Sequence, residues 1–339
     1  MEITGLDNSI RWDAIIRSMR IYDVYHTSAY HALESSGTSL LLSSSFGGEL
    51  IAIPVVVRRI EGTDYNDITS VYGYSGPLSS AVNPDIDHIS AFQNELREFF
   101  DSRSIVSAFG RLHPFFDVQE NILKGLGDTV ISGKTVYIDL SLSEEQQLLQ
   151  YSRSLRNRIN RFHNSGNIIV RKYDTDADID AFVSIYHETM RRVGASVSYF
   201  FDVNYFHTFL RNIPSCLFLA CYDGEPVCGT LFTECNGIIQ THLSGTMNKF
   251  LHLSPLKYVR DEIRRYGIRS GFHYLHMGGG VGSRSDSVYG FKSQFSRSEL
   301  LFKTWRYIHL PDVYDEMTRR RGIDNTQGAD FFPLYRFGA

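Results

Sequence analysis

The 339-residue chain has no long apolar run, no excess of basic residues and only four cysteines. Its longest apolar run, residues 50–57, has eight residues, whereas a helix needs about 20 to cross a bilayer, so we expect no membrane span. Lys and Arg number 34 against 38 Asp and Glu, for a net charge of −4, which argues against a nucleic acid polymer as partner. The first residues contain neither the basic nor the apolar stretch of a secretory signal.

The cysteines lie within twenty residues of one another, at Cys216, Cys221, Cys228 and Cys235. Their spacing lacks the C-x₂₋₄-C pairs of zinc sites, and we expect no metal. The β pattern around them predicts buried free thiols. Free thiols without a secretory signal indicate the cytosol.

Hydrophobic residues make up 42% of the chain, which is typical of a packed globular protein. The length favours two domains. In the first half, a run that begins with three leucines, 40–46, and a Val- and Ile-rich run, 49–59, flank Gly47-Gly48 and predict a hairpin. A strand at 68–74, a helix from Pro84 to about Ser102 and a strand at 105–109 follow.

The second half repeats this order at an offset of about 170 positions. Strands at 216–222 and 225–235 flank Asp223-Gly224, which favours a hairpin turn. A strand at 238–243, a helix and a strand at 272–277 follow. We expect the side chain of Ser254 to cap this helix and Pro255 to occupy its first position. We therefore predict an α/β (α+β) protein with two tandem units, 1–140 and 165–339, each a mixed sheet flanked by helices.

Residues 143–163 predict one connecting helix within 141–164. Glu144 and Glu145 lie in its first turn and arginines follow, an order that suits the helix dipole. It is either a solvated linker helix or, through Arg153, Arg156 and Arg161, a basic strip for an anionic substrate.

Several short strings resemble one family. They are YGYSGP at 72–77, GRLHP at 110–114, GKTVYIDL at 133–140, RNR at 156–158, HLSGT at 242–246, HMGGG at 276–280 and FKSQF at 291–295. Together they resemble the FemAB-like branch of the GNAT acyltransferases over residues 20–305. The resemblance implies two tandem GNAT units that share a central cleft.

The resemblance implies that the second unit binds the acyl donor, with its pyrophosphate at the start of the helix after strand 238–243. The cofactor-binding residues are then Ser244, Gly245, Thr246, Lys249, Ser254, Lys257, Gly278 and Gly279. Without the resemblance, an ordinary strand–loop–helix connection explains the segment equally well. The first unit has Asp85 and Asp87 at its helix start, which repel phosphate, so it is a degenerate copy that shapes the acceptor site.

The glycines from Gly278 to Gly282 do not match a dinucleotide-binding motif, because Ser283 replaces its last glycine. Two interpretations stay open. Either the backbone passes close to a ligand, or the glycines form a flexible strand exit before a helix that Ser285 or Ser287 caps and that runs to Phe295.

Two histidines are candidates for the general base that an attacking amine needs. His276 ends a strand directly before the glycines and ranks first, and His242 ranks second. Each is alternatively a hydrogen-bonded structural histidine. Asp286 completes the catalytic candidates, although it and Lys292 either position the acceptor or cap and solvate their helix. The substrate-binding candidates are Tyr74, Arg111, His113, Arg158, Tyr199 and Lys292.

The resemblance, together with the arginines around the expected cleft, implies an N-acyltransferase that moves an acyl group from acyl-CoA to a nucleotide-linked amino sugar in surface-polysaccharide biosynthesis. Residues 213–246 leave no room for the helical arm that many peptidoglycan members carry in the second unit, which favours acyl-CoA as donor. The alternatives are aminoacyl transfer from tRNA to a peptidoglycan precursor, and a non-catalytic GNAT-like binding module.

Overall fold

The structure is a computed structural model that describes residues 1–322 and 331–338. The strands are β1 (Glu2–Gly5), β2 (Thr38–Phe46), β3 (Glu49–Arg59), β4 (Asn66–Thr69), β5 (Leu78–Ser79), β6 (Ile105–Arg111), β7 (Asp128–Asp139), β8 (Ile168–Lys172), β9 (Ser215–Tyr222), β10 (Glu225–Cys235), β11 (Ile238–Thr246), β12 (Tyr274–Gly278) and β13 (Glu299–Ile308). The helices are α1 (Ser9–Ser18), α2 (Ser28–His31), α3 (Ile86–Ser102), α4 (Val118–Leu123), α5 (Glu144–Gln150), α6 (Arg153–Ser165), α7 (Asp176–Arg192), α8 (Val203–Asn212), α9 (Pro255–Arg269), α10 (Ser287–Lys292) and α11 (Pro311–Arg320).

The chain divides into two compact units. Unit 1 is Met1–Ser132 with the described residues from Leu301 onward, and unit 2 is Gly133–Leu300. The sequence placed the first boundary at 140 and assigned the whole C-terminus to the second unit. The difference arises because β13 pairs with β6 of unit 1, antiparallel, with Thr304 opposite Arg111.

Unit 1 has the strand order β1-β2-β3-β4-β6-β13, and β5 pairs with β3. The β2–β3 hairpin turns at Gly47 and Gly48, which have φ values of 59° and 86°. Such positive values favour glycine. β4 and β6 run parallel, and α3 packs Phe92, Leu96 and Phe100 into the core of the unit.

Unit 2 has the strand order β7-β12-β11-β10-β9-β8. β11 and β12 run parallel, and each other neighbouring pair is antiparallel. The core contains Phe232 and Ile239 from the sheet with Val259 and Ile263 from α9. Both units therefore order hairpin, strand, helix and strand as predicted, and in each unit the structure pairs the last two of these strands in parallel. The mixed sheets confirm the α/β class.

The predicted connecting helix at 143–163 is wrong in one respect, because it consists of two helices. Ser143 caps α5 by accepting from the Gln146 N–H at 3.2 Å, and Ser152 caps α6 by accepting from the Leu155 N–H at 3.3 Å. Tyr151 between them is extended, with ψ 139°. Each serine oxygen satisfies an N–H that the start of a helix leaves unpaired.

Two other predicted bounds also differ. The strand predicted at 68–74 ends at Thr69, and the helix predicted to reach Phe295 ends at Lys292. The cysteines are free as predicted, and three of the four are buried, while Cys235 is half-buried. In the part of the chain that the structure describes, no helix is long and apolar enough to cross a membrane.

Candidate functional site

The two parallel strands of unit 2 separate after a short pairing. β11 and β12 pair from Ile238 and Tyr274 to Gln240 and His276. From there to Thr246, β11 pairs with β10 only, among the described strands. A bulge in the β10–β11 register opposite His242 accompanies the separation. The separation leaves backbone groups on one edge of β11 without a strand partner.

Helix α9 places an arginine against this part of β11. Arg260 is only 5% exposed, and its Nη2 donates to Ser244 Oγ at 2.8 Å. Thr230 Oγ1 on β10 donates to the same oxygen at 3.2 Å. The Nε and Nη1 atoms of Arg260 have no hydrogen-bond partner among the described residues. Burial lowers the pKa of Arg260 to about 10, since desolvation disfavours the charged form.

A second cation lies close to Arg260. Lys292, the last residue of α10, donates from Nζ to the carbonyl oxygen of Gly279 at 2.6 Å. Burial and the charge of Arg260 lower the pKa of Lys292 to about 7, against the opposing effect of Asp286. A large share of the amine is therefore neutral near pH 7, which gives it a lone pair that accepts a proton.

Asp286, a predicted catalytic residue, is the N-cap of α10. Its Oδ1 accepts from the Tyr289 N–H at 2.9 Å and its Oδ2 from the Val281 N–H at 3.0 Å. Burial raises the pKa of Asp286, but the backbone donors outweigh burial and lower it. The capping alternative therefore accounts for this residue, and the prediction that Ser285 or Ser287 caps the helix is wrong because Asp286 holds that position.

The two predicted histidine bases have different surroundings. His276 is fully buried, and its Nδ1 is hydrogen-bonded to Gln240 Oε1. His242 is half-buried, with Nε2 3.2 Å from the Tyr205 hydroxyl and its ring stacked on Phe209. Burial lowers the pKa of His242 to about 4, which makes it a weak base at pH 7. Their catalytic roles stay predictions, and these contacts favour the structural alternative for both.

The backbone after β11 is engaged within unit 2. The Thr246 N–H donates to Thr189 Oγ1 at 2.9 Å, and the Asn248 N–H donates to Glu188 Oε1 at 2.7 Å. A Cβ on Gly245 would lie 2.9 Å from the Ile185 carbonyl oxygen. Close packing against α7 therefore accounts for this glycine without a ligand.

The start of α9 brings together two of the predicted basic residues. Arg158 Nη1 donates to the Leu253 carbonyl at 3.3 Å, and Lys257 Nζ donates to Gln294 Oε1 at 2.7 Å. Burial and the charge of Arg158 lower the pKa of Lys257. Lys249 is exposed and lies over the Phe250 ring at 4.8 Å.

Ser254 does not cap α9 with its side chain, in contrast to the prediction. It adopts φ 53° and ψ 48°, and its hydroxyl donates to the Leu251 carbonyl at 3.5 Å. A left-handed residue at the N-cap turns the side chain away from the N–H groups that a capping oxygen reaches from extended backbone.

The glycine run is explained by the fold of unit 2. Gly278 has φ 74°, a conformation that favours glycine. A Cβ on Gly279 would lie 2.7 Å from the Lys134 carbonyl oxygen on β7. These contacts account for Gly278 and Gly279 without a ligand, and a close approach of their backbone to a ligand stays a prediction.

The predicted substrate residues of unit 1 lie in an aromatic cluster. His113 is buried, with Nε2 2.9 Å from Asp23 Oδ2, and its ring stacks on Phe116 at 3.8 Å. The ring centroids of Tyr74 and His113 lie 6.0 Å apart, and burial raises the pKa of Tyr74. This packing gives both residues a structural role, and substrate contact stays a prediction for them.

Two other predicted substrate residues have protein contacts of their own. The Arg111 guanidinium lies over the Phe109 ring at 5.4 Å. In unit 2, Tyr199 is exposed, and its carbonyl accepts from the Tyr186 hydroxyl at 2.8 Å.

One group of side chains among the described residues has metal-ligand spacing, namely His163, Asp261 and Glu262. Asp261 already accepts from Tyr151 and Arg264, and Glu262 accepts from Arg265. A cavity of about 960 Å³ in unit 1 lies between the 60–65 turn and α11 and contains no predicted site residue.

Sequence reasoning missed Arg260. The signal was present, since Arg260 and Arg264 alternate with Val259, Ile263 and Gly267 on the buried face of α9. Two arginines within the apolar stripe of a helix indicate buried charge that needs an anionic partner.

Comparisons with known proteins agree with this geometry. The model of the acetyltransferase (GNAT) domain matches residues 150–293, and no curated protein sequence matches the chain. The crystal structure of FemX is similar, with 12% identity and a TM-score of 0.72 over 93% of this chain and 99% of that one. So is the structure of L-PGS from Bacillus licheniformis, with 15% identity and a TM-score of 0.56 over 96% and 100%.

A tandem GNAT protein from the clavulanic acid biosynthesis pathway is 8% identical, with a TM-score of 0.53 over 91% of this chain and 98% of that one. Identities this low show the fold alone. Residues 150–293 of unit 2 therefore match the GNAT acetyltransferase domain, and the chain has the fold of tandem GNAT proteins.

Proposed function

We propose that the chain is an N-acyltransferase whose reaction takes place in unit 2, where β11 and β12 separate. The observation that carries the proposal is the position of Lys292, whose Nζ donates to the carbonyl oxygen of Gly279, the residue after β12. Burial and the charge of Arg260 lower the pKa of this amine to about 7. A proton acceptor tuned to neutral pH beside an open strand edge is what acyl transfer to an amine requires.

In the proposed reaction, the lone pair of a neutral substrate amine attacks the acyl carbonyl carbon. N–H groups on the unpaired edge of β11 stabilise the oxyanion that develops. The carbon–sulfur or carbon–oxygen bond to the leaving group then breaks. Lys292 accepts the proton that the amine loses and passes it to the departing thiolate or alkoxide.

For the donor we propose acyl-CoA, and for the acceptor a nucleotide-linked amino sugar. Arg158 and Lys257 at the start of α9 support a donor that carries phosphate, because cations and a helix N-terminus both attract it. The amino sugar is supported by the family resemblance alone.

A second candidate is transfer of an aminoacyl group from tRNA to a peptidoglycan precursor. It is favoured by the engaged N–H groups of Thr246 and Asn248, which do not offer a backbone cradle for the pyrophosphate of CoA. The exposed side chains of Arg153 and Arg161 on α6 suit a long anionic donor.

The test supplies the purified chain with an amine acceptor and either acyl-CoA or charged tRNA. We expect amide formation with acyl-CoA alone and only weak inhibition by added salt. Amide formation that needs charged tRNA and falls steeply with salt would assign the second candidate. Absence of product with both donors would favour a binding module.

A further inference from the structure

The inference concerns Arg260, which the fold buries without a complete set of partners. The guanidinium has five N–H donors, and three of them lie on Nε and Nη1, which have no partner among the described residues. Its one described hydrogen bond is to Ser244 Oγ. No carboxylate of the described residues forms a salt bridge with Arg260, and its neighbour Cys228 is a neutral thiol because burial raises its pKa to about 12.

The same helix shows what a structural buried arginine looks like in this protein. Arg264, one turn further along α9, is 1% exposed. Its guanidinium donates to Asp261 at 2.9 Å, to Gln147 at 3.1 Å and to Glu144 at 2.9 Å. Arg264 thus has the carboxylates that a buried charge requires. Arg260 lacks them, although the two residues share one helix face.

The surroundings of Arg260 suit an anion. Lys292 is the second cation, close enough for the charge of Arg260 to contribute to the lowering of its pKa. Ser244 is half-buried and supplies a hydroxyl, and Thr230 lies beside it. The site therefore has two cationic side chains and two hydroxyls next to the separated strands. A negatively charged ligand would complete this set.

We infer that Arg260, Lys292 and Ser244 form a subsite for an oxyanion, a carboxylate or phosphate group of a substrate, beside the end of β11. An Arg fork binds two oxygens of such a group at once. The oxyanion supplies the countercharge that the described residues do not provide. The identity of the ligand as a substrate rests on the proposed function, whereas the presence of the subsite does not.

The test measures anion binding to the full chain without acyl donor or amine. Sodium acetate and inorganic phosphate are titrated at pH 7 against sodium chloride of equal ionic strength, and binding is followed by calorimetry and by the melting temperature. We expect a saturable response to acetate, to phosphate or to both. Acetate alone identifies a carboxylate subsite, and phosphate alone identifies a phosphate subsite.

The variants separate this site from general salt effects. Arg260→Gln should raise the anion Kd by about tenfold or more, because hydrogen bonds to a charged group are lost. Arg260→Lys keeps the charge but not the fork, and it should raise the Kd by about threefold or more if the glutamine variant does not fold. Arg265→Gln removes a half-exposed arginine of the same helix and should leave the Kd within about twofold of wild type.

A wild-type protein that shows no saturable response to either anion would overturn the inference. An equal response in wild type and in the Arg260 variants would also overturn it, because the anion would then bind elsewhere. These titrations are independent of catalysis. Anion binding without any acyl transfer would refute the proposed function alone, and acyl transfer without anion binding would refute the subsite alone.

Discussion

Arg260, which is buried, and Lys292, which is half-buried, differ from the buried Arg264, because no salt bridge among the described residues compensates them. Arg264 is held by two carboxylates and serves the fold. Burial and, secondarily, the like charge of Arg260 lower the pKa of Lys292 and leave its amine available for proton transfer. Perturbed groups of this kind concentrate at functional sites.

Replacing Lys292 with Gln should lower kcat by about 10²–10⁴-fold, the usual contribution of a general base. Because Lys292 accepts a proton only as the neutral amine, the wild-type rate should rise with pH through about 7, and the variant should lose this rise. The measurement is the pH–rate profile of both proteins. Lys134→Gln, at an exposed pair with Glu299, is the control and should retain the wild-type profile. An unchanged rise in the Lys292 variant would contradict the role.

The same residue predicts a pH dependence of stability. The folded pKa of Lys292 lies near 7, below its ordinary 10.5, so the unfolded chain holds more protons between these values. The free energy of unfolding contributed by this group should therefore increase as pH rises from 7 towards 10. Urea denaturation at pH 7 and pH 9 should show a smaller increase for Lys292→Gln than for wild type. An equal increase in both would show that Lys292 titrates normally.

The sequence pattern predicted which strands carry His276 and His242, but it did not predict how far each side chain is buried. A residue at the end of a parallel strand is a candidate ligand contact from sequence, and both histidines do occupy β11 and β12. Burial depends on what covers the sheet. His276 is hydrogen-bonded to Gln240 on the neighbouring strand β11, and His242 is hydrogen-bonded to Tyr205 on α8. The residue spacing along a single strand does not predict partners that lie on other elements.

At the scale of elements, β11 packs between α7 and α9, and Gly245 of β11 packs closely against α7. Gly245→Ala should destabilise the protein by about 1–3 kcal/mol, because the new methyl group meets the α7 backbone. Gly290→Ala in α10 is the matched control, since no atom lies within 4 Å of its Cβ position, and it should be neutral or stabilising by up to about 1 kcal/mol. Urea midpoints measure both. Wild-type stability with lost activity in Gly245→Ala would instead support the cofactor-binding role expected from the resemblance.

Helices α5 and α9 are joined by the Arg264 network. Arg264→Met should destabilise by about 3–5 kcal/mol, because it leaves the carboxylate of Asp261 buried without its charge partner. Arg265→Ala should change stability by less than about 1 kcal/mol, since its pairs are partly exposed. Chemical denaturation of both variants is the measurement, and equal effects would show that burial of the pair does not matter.

Elements with strong local signals were predicted well. The Gly47-Gly48 and Asp223-Gly224 turns fixed both hairpins, and Pro255 marked the start of α9. The 143–163 helix was predicted as one because its charges suit a single dipole. Ser152 is the residue that caps α6, but within a helical pattern a serine can equally well continue the helix. The burial of the Tyr151 ring favours the break between the two helices.

At the scale of the whole molecule, the two units share one order of elements but not the predicted boundaries. The strand order of unit 1 ends with β13, and the strand order of unit 2 begins with β7. Each of these strands follows in sequence the elements of the other unit. A sequence division assumes that neighbouring elements along the chain stay together, so it assigned β7 and the C-terminus to the wrong neighbours.

The most direct test of the account is mass spectrometry of an amine acceptor incubated with the purified chain and an activated acyl donor. We expect a new amide whose mass is that of the acceptor plus the acyl group less one hydrogen, formed about 100-fold or more faster by wild type than by Lys292→Gln. The Lys134→Gln control should form it at the wild-type rate. No amide with either a thioester or a tRNA ester donor, or equal rates in wild type and Lys292→Gln, would contradict acyl transfer at the separated strands of unit 2.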